Sequence, residues 1–232
     1  MELQRLLRLH DGHVSPDAAS LRGEEHLGLF EANHRISNNL AILASAVSLR
    51  AAEVARRRRD LSGDEVAMIL GEVSAKISTV AWLHRLLSEE PEAAGLDIND
   101  HLYRLCETLL SALSDPSRMR LVRTGRGSCV VPIDAIVPLC LIVTEVVTNS
   151  LKYAHPTKVA GQIAVGCHEA DGALILEVSD DGVGLPEGFD FLSEGGTGAR
   201  VVRALARQLG AKVSLRSRPI GLLFTLRLPT AS

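Results

Sequence analysis

The spacing of apolar residues changes character once along this chain. Between residues 21 and 59 there is no proline, and glycine ends at Gly28. Leu40, Ala44, Val47, Ala51 and Val54 alternate steps of four and three, the stripe of a helix that packs in coiled-coil fashion. The run Arg56–Arg59 closes that helix, where basic residues suit the carbonyl end as well as solvent. Leu61-Ser62-Gly63-Asp64 reads as a turn, followed by a second helix with Asp64 and Glu65 at its start. That helix carries Val66, Val73, Val80 and Leu87 at heptad spacing, with Ile69 and Leu83 at the complementary positions and Lys76 as the one break. Two such helices joined by a short turn predict a helical hairpin. A lone hairpin buries little, so a second copy completing a dimeric four-helix bundle is expected.

Glu89-Glu-Pro-Glu-Ala-Ala-Gly95 interrupts the periodicity and reads as a linker. The chain divides accordingly into an N-terminal segment 1–20, an all-α hairpin domain 21–90, a linker 91–96 and a second domain 97–232. In the second domain the period switches between helix and strand. A helix from Asp97 to Leu113 precedes short strands at Met119–Arg123 and Ser128–Val131, and Pro132 opens a long helix, Ile133–Ala154. Strands Gln162–Cys167 and Ala173–Ser179 flank Glu-Ala-Asp-Gly172, a hairpin turn. A glycine-rich stretch leads into a helix, Gly198–Leu209, and strands at Lys212–Ser217 and Leu222–Leu228 close the chain. That order predicts an α+β layer, one mixed sheet under helices.

Composition narrows the possibilities. Apolar residues make up 46% of the 232 positions but aromatics only 3%, so the cores are built from Leu, Val, Ile and Ala. A formal charge of −3 and a pI near 6.2 give no field that gathers nucleic acid. No apolar run long enough to span a bilayer stands out, and the charged start Met1-Glu-Leu-Gln-Arg5 is unlike a signal peptide. Cys106, Cys129, Cys140 and Cys167 match no zinc or redox spacing and are expected as small buried thiols of a reduced cytoplasm.

Three clusters in the second domain carry candidate chemistry. Glu145, Asn149 and Lys152 share one face of the long helix, where a carboxylate and an amide can hold Mg²⁺ and a lysine can meet phosphate. Asp180-Asp-Gly-Val-Gly-Leu-Pro186 follows a strand. Asp180 can accept from an exocyclic amine, while Gly182 and Gly184 let the backbone come close to a ring or ribose. Gly195-Gly-Thr-Gly198 opens a helix, with Gly196 and Gly198 freeing N–H groups for phosphate oxygens. Each also has a plain structural reading: a solvated helix face, a hairpin turn and a flexible loop.

Their order and spacing resemble the N, G1 and G2 boxes of the Bergerat-fold ATPase domain shared by histidine kinases, gyrases, Hsp90-type chaperones and MutL-type repair proteins. Upstream, Glu31-Ala-Asn-His-Arg-Ile-Ser-Asn-Asn-Leu40 resembles the phosphoacceptor box of the second HisKA class of histidine kinases. Thr144 before Glu145, and Trp82 as the single tryptophan, depart from the related HWE pattern.

The resemblance implies a dimerisation and phosphotransfer hairpin followed by an ATP-binding sandwich. It implies a cytoplasmic kinase that uses ATP and Mg²⁺ to phosphorylate His34 and passes the group to the receiver domain of a response regulator. Glu145 and Asn149 would serve metal and phosphates, and Asp180 would read adenine. Arg35 stands where many kinases have an acid. Glu31, at i−3, is the nearest carboxylate to orient the imidazole. Asn38, one turn on, matches the position that aligns water for dephosphorylating a regulator. A phosphotransferase or regulator phosphatase with a regulatory ATP domain is therefore the alternative. A sensor domain is expected in such kinases. About twenty residues precede the hairpin here, so either the sequence is a fragment of a longer sensor protein or the signal arrives through a partner or that short segment.

Overall fold

The computed structural model describes residues 40–41, 43–56, 60–89, 95–115, 117–125, 127–157 and 159–230. Two long helices come first, α1 (residues 43–56) and α2 (Gly63–Glu89). Ser62 and Glu65 close a capping box at the start of α2. The Glu65 N–H donates to Ser62 Oγ at 3.2 Å, and the Ser62 N–H donates to Glu65 Oε2 at 3.0 Å. The hairpin expected from the turn at residues 61–64 is therefore present.

Its packing differs from the heptad expectation. Val66 and Leu70 are 41% and 63% exposed, whereas Glu72, Lys76, Thr79 and Val80 are buried. The face of α2 that is covered carries the stripe's break, because α2 lies against the long helix of the following domain and not only against α1.

That domain begins with β1 (Gly95–Asp97), inside the stretch read as a linker, and continues with α3 (Asn99–Leu113), β2 (Met119–Arg123), β3 (Val130–Pro132) and α4 (Ile133–Tyr153). Then come β4 (Gly161–Ala170), β5 (Ala173–Asp180), the single turn α5 (Phe191–Glu194), α6 (Thr197–Gln208), β6 (Lys212–Ser217) and β7 (Leu222–Pro229). Five strands form a sheet in the order β2-β4-β5-β7-β6. β2 runs parallel to β4 and the other neighbours are antiparallel, the mixed sheet expected. β1 and β3 make a separate antiparallel pair, for which three-residue strands give almost no periodic signal.

In β7, Phe224, Leu226 and Leu228 are buried in alternation, so one sheet face is covered by helices. α4 is the spine of that layer, with fifteen of its residues buried. By length and hydropathy it could cross a bilayer, but 83% of its apolar window is buried inside the fold, which makes it a core helix.

The cysteine expectation holds for two residues and fails for two. Cys106 and Cys140 are free and buried, and burial pushes the Cys140 thiol up to about 12. Cys129 and Cys167 are joined as a disulfide, their Cα atoms 5.8 Å apart. Asn99 brings these segments together, accepting from the Cys167 N–H at 2.9 Å and donating to the Cys167 carbonyl at 3.0 Å. Spacing in the sequence carries no trace of that pairing.

Candidate active site

The loops that follow β5 and precede α6 bend over the C-terminal half of α4 and enclose a cavity of about 400 Å³. Glu145, Asn149, Lys152, Asp180, Gly184, Gly196 and Gly198 all line it, so all but one of the residues expected in the three boxes meet there.

At one end stands Asp180, the last residue of β5. Ser150 Oγ donates to its Oδ2 at 2.7 Å, and the N–H groups of Gly182 and Leu222 donate to Oδ1 at 3.1 and 3.3 Å. Each carboxylate oxygen has more than one lone pair, so Asp180 held in this way can still accept from an amine in the cavity. Val183, Leu185, Pro186, Phe189, Leu215 and Leu222 give this end an apolar lining suited to a flat ring.

Gly182 departs from expectation. It packs behind the cavity, where a Cβ would stand 2.3 Å from the Ala154 carbonyl oxygen and 2.4 Å from the Ala154 Cβ. This close approach lets the Val183 N–H donate to the Ala154 carbonyl at 2.9 Å, capping an orphan acceptor at the end of α4. Gly182 therefore fixes the loop to the helix, and Gly184 is the glycine that faces the cavity.

At the other end lie Glu145 and Asn149, one turn apart, and the start of α6. Gly198 lets the start of α6 come close to these side chains, since a Cβ there would meet Glu145 Oε2 at 2.9 Å and displace it. The N-cap of α6, Gly196, offers no side chain to the first turn, which leaves its N–H groups to the cavity. The carboxylate and the amide thus converge on a helix N-terminus, the oxygen-donor arrangement that suits Mg²⁺ shared with phosphates. Among the described residues no group of three or more His, Cys, Asp or Glu forms a metal cage.

The structure adds residues that sequence reasoning did not find. Lys76 Nζ lies 2.8 Å from Glu145 Oε1, and Glu72 pairs with Lys152. Arg50 Nε is 3.6 Å from Glu72 Oε2, and Arg50 Nη1 donates to Glu53 Oε2 at 2.8 Å. Thr197 Oγ1, in the first turn of α6, also donates to Glu53 Oε2 at 2.8 Å. Charges from α1 and α2 thus face the phosphate end of the cavity. Burial holds the Lys152 ammonium below the usual lysine range, with its Glu72 partner pulling the other way. Lys76 left a sequence signal as the break in an apolar stripe; Arg50, Glu53 and Glu72 left none. Glu31, His34, Arg35 and Asn38 lie outside the described residues.

An acid that ends a central strand, a Glu–Asn face on the spine helix and a glycine-rich helix start make this an ATP-binding domain of the Bergerat class. Residues 134–232 match the family of histidine kinase-, DNA gyrase B- and HSP90-like ATPases, and residues 31–113 match the HisKA_2 histidine kinase family. The chain thus carries a segment that matches a histidine kinase family, followed by a segment that matches a histidine kinase-type ATPase family. It is 26% identical over 218 residues to Blue-light-activated histidine kinase 2 of Erythrobacter litoralis, covering 93% of this chain and 60% of that protein. It is 27% identical over 202 residues to Sensor histidine kinase PdtaS of Mycobacterium tuberculosis, covering 86% of this chain and 38% of that protein. The chain therefore spans between about a third and three fifths of the length of these curated relatives. In structure it is similar to the histidine kinase domain of an Erythrobacter litoralis blue-light-activated kinase, with a TM-score of 0.66, 23% identity and coverage of 92% and 94% of the two chains.

Proposed function

We propose that this chain is the kinase module of a two-component system: it takes the γ-phosphoryl group of ATP onto His34 and passes it to an aspartate of a receiver domain. The observation that carries the reading is the single cavity with Asp180 at one end and Glu145, Asn149 and the start of α6 at the other, with helices of the hairpin packed on its phosphate end. Asp180 accepts from the adenine amine, and Ser150 keeps its second oxygen in place. Asn149 and Glu145 are the residues that would hold Mg²⁺, which supplies charge compensation on the phosphate oxygens when bound. The first-turn N–H groups of α6 and the Lys152 ammonium orient the phosphate chain. His34 attacks as the neutral imidazole, with Glu31 orienting the ring and Arg35 meeting the incoming group. Asn38 serves the reverse direction, dephosphorylation of the regulator.

Incubation with γ-labelled ATP and Mg²⁺ should give acid-labile, base-stable label that is absent from His34→Ala. Label persisting in that variant sinks the assignment. Division into a phosphotransfer domain over 21–90, a linker at 91–96 and an ATP domain over 97–232 belongs to the same reading, as does a cytoplasmic setting, where ATP and receivers meet.

Homodimerisation has its own support. Val66, Leu70, Val73 and Ile77 follow helical spacing on α2, opposite the buried Glu72, Lys76 and Thr79, and Leu70 and Ile77 are 63% and 50% exposed. A second copy covering that stripe would complete a four-helix bundle. Light scattering after size exclusion should give twice the chain mass for the native protein and the monomer mass for Leu70→Glu/Ile77→Glu; a monomeric native protein overturns the dimer.

A further inference from the structure

Lys76 lies on α2, outside the three boxes, and nothing in its own helix calls for it. It interrupts an apolar stripe and is only 6% exposed, and a buried ammonium is costly unless it is paired. An apolar residue there would pack α2 on α4 at less cost. Its partner is specific: Nζ lies 2.8 Å from Oε1 of Glu145, itself 5% exposed. With Oε1 so engaged, Oε2 is left facing the glycine start of α6 beside the Asn149 amide, both close to where a Gly198 Cβ would stand. One oxygen is anchored to the hairpin and the other is presented to the phosphate end.

We propose that Lys76 is a positioning residue for phosphoryl transfer, acting through Glu145, so that the hairpin helix α2 completes the ATP site. The inference rests on the kinase reading above. A carboxylate that works on metal or phosphate needs a fixed rotamer and a lasting negative charge, and an ammonium behind it provides both. Lys152 does not take this place, because Glu72 engages it from the same face of α2. Lys76 and Glu72, four residues apart on α2, address Glu145 and Lys152, seven apart on α4, so docking of the hairpin sets both ends of that helix face together.

The test uses the full chain as native protein, Lys76→Met, Lys76→Arg, Glu145→Gln and the double variant Lys76→Met/Glu145→Gln. Three quantities are read: the autophosphorylation rate at saturating ATP, its KM, and the affinity for a fluorescent ATP analogue with and without Mg²⁺. Lys76→Met should lose roughly 10- to 100-fold in rate at saturating ATP, the usual scale for removing a partner behind a metal-site carboxylate, beyond any rise in KM. Lys76→Arg should recover most of the loss, and adding Lys76→Met to Glu145→Gln should cost little more. The double variant leaves no buried carboxylate unpaired, so it stays readable if Lys76→Met alone folds poorly.

A rate unaffected in Lys76→Met, a KM effect alone, or Arg performing no better than Met overturns the proposal. So does a variant that is faster and binds ATP more tightly, since Lys76 would then be a restraint on the site. Native protein that binds ATP but takes no label defeats the kinase reading separately. Lys76 is then judged by the Mg²⁺-dependent gain in analogue affinity, which Lys76→Met and Glu145→Gln should both abolish and whose survival in Lys76→Met overturns the role.

Discussion

At one end of the cavity Asp180 is held by Ser150, Gly182 and Leu222, all from its own domain and mostly through rigid backbone. At the other, Glu145 and Lys152 are held by Lys76 and Glu72, long side chains that arrive from the hairpin. The first arrangement is preorganised whatever the hairpin does. The second exists only while α2 lies on α4. The hold on Asp180 is thus a property of the sheet domain, while the charge balance around Glu145 and Lys152 depends on a neighbouring element.

The largest effect should come from the preorganised end. Asp180→Asn keeps the size and one acceptor but removes the charge and turns an NH₂ toward groups that donate. ATP affinity should fall roughly 10- to 100-fold, the scale of a hydrogen bond to a charged group, and preference for ATP over GTP should narrow. Calorimetric titration with both nucleotides measures this, and an unchanged ATP-to-GTP ratio counts against Asp180 as the adenine reader.

Glu72→Gln probes the other end. It leaves Lys152 half-buried without its countercharge, which should cost about 1–3 kcal/mol of stability by urea denaturation. At the same time Lys152 is released toward phosphate, so ATP binding should tighten by a few-fold. Ser150→Ala, the matching change at the Asp180 end, should cost about 1 kcal/mol and weaken ATP binding. If both variants move ATP affinity in the same direction, the two ends are not built differently.

Glycines sharpen the contrast locally. Gly182→Ala forces a methyl into the Ala154 carbonyl and should destabilise by about 1–3 kcal/mol, the usual cost of overpacking. Gly196→Ala meets nothing nearer than Glu53 Oε1, at 3.7 Å, from a backbone with φ −66°, and should shift stability by only a few tenths of a kcal/mol, within the range of changes that disturb no packing. Thermal unfolding of the pair decides it, and equal shifts would mean that the loop after β5 gives way as easily as the start of α6.

These two ends also differed in how far the sequence revealed them. Asp180 to Gly184 lies in one short run at a strand end, so the residues could be named from the chain alone, although their partners Ser150, Ala154 and Leu222 are distant in sequence. Gly182 was found for the wrong reason: a close approach was read correctly, but the body approached is Ala154 and not a ligand. The strands from β4 to β7 lay where they were expected, β6 and β7 by alternation and β4 and β5 as buried apolar runs, whereas β1 was too short for any period and was mostly taken for linker. The ion pairs from α2 join Lys76 to Glu145 and Glu72 to Lys152, far apart in sequence and between elements each of which reads as self-contained. The heptad pattern pointed elsewhere, toward an apolar seam; only Lys76, as its flaw, marked the face that is buried. For the disulfide of Cys129 and Cys167 there was no mark at all.

The smallest effect belongs to Lys152, where opposing influences nearly offset each other. Burial depresses its proton affinity below the ordinary lysine value of 10.5 and Glu72 restores part of it, leaving a net lowering. In the window between the depressed value and 10.5 the unfolded chain holds this proton more firmly than the folded one, so the contribution of Lys152 to stability rises with pH there and is flat at neutral pH. Urea denaturation of native protein and Lys152→Met across the alkaline range should therefore show their stability difference shifting in favour of the native protein as pH climbs. A difference that stays constant, or runs the other way, would mean that Glu72 outweighs burial and that the phosphate end is a stabilising pair instead of a strained one.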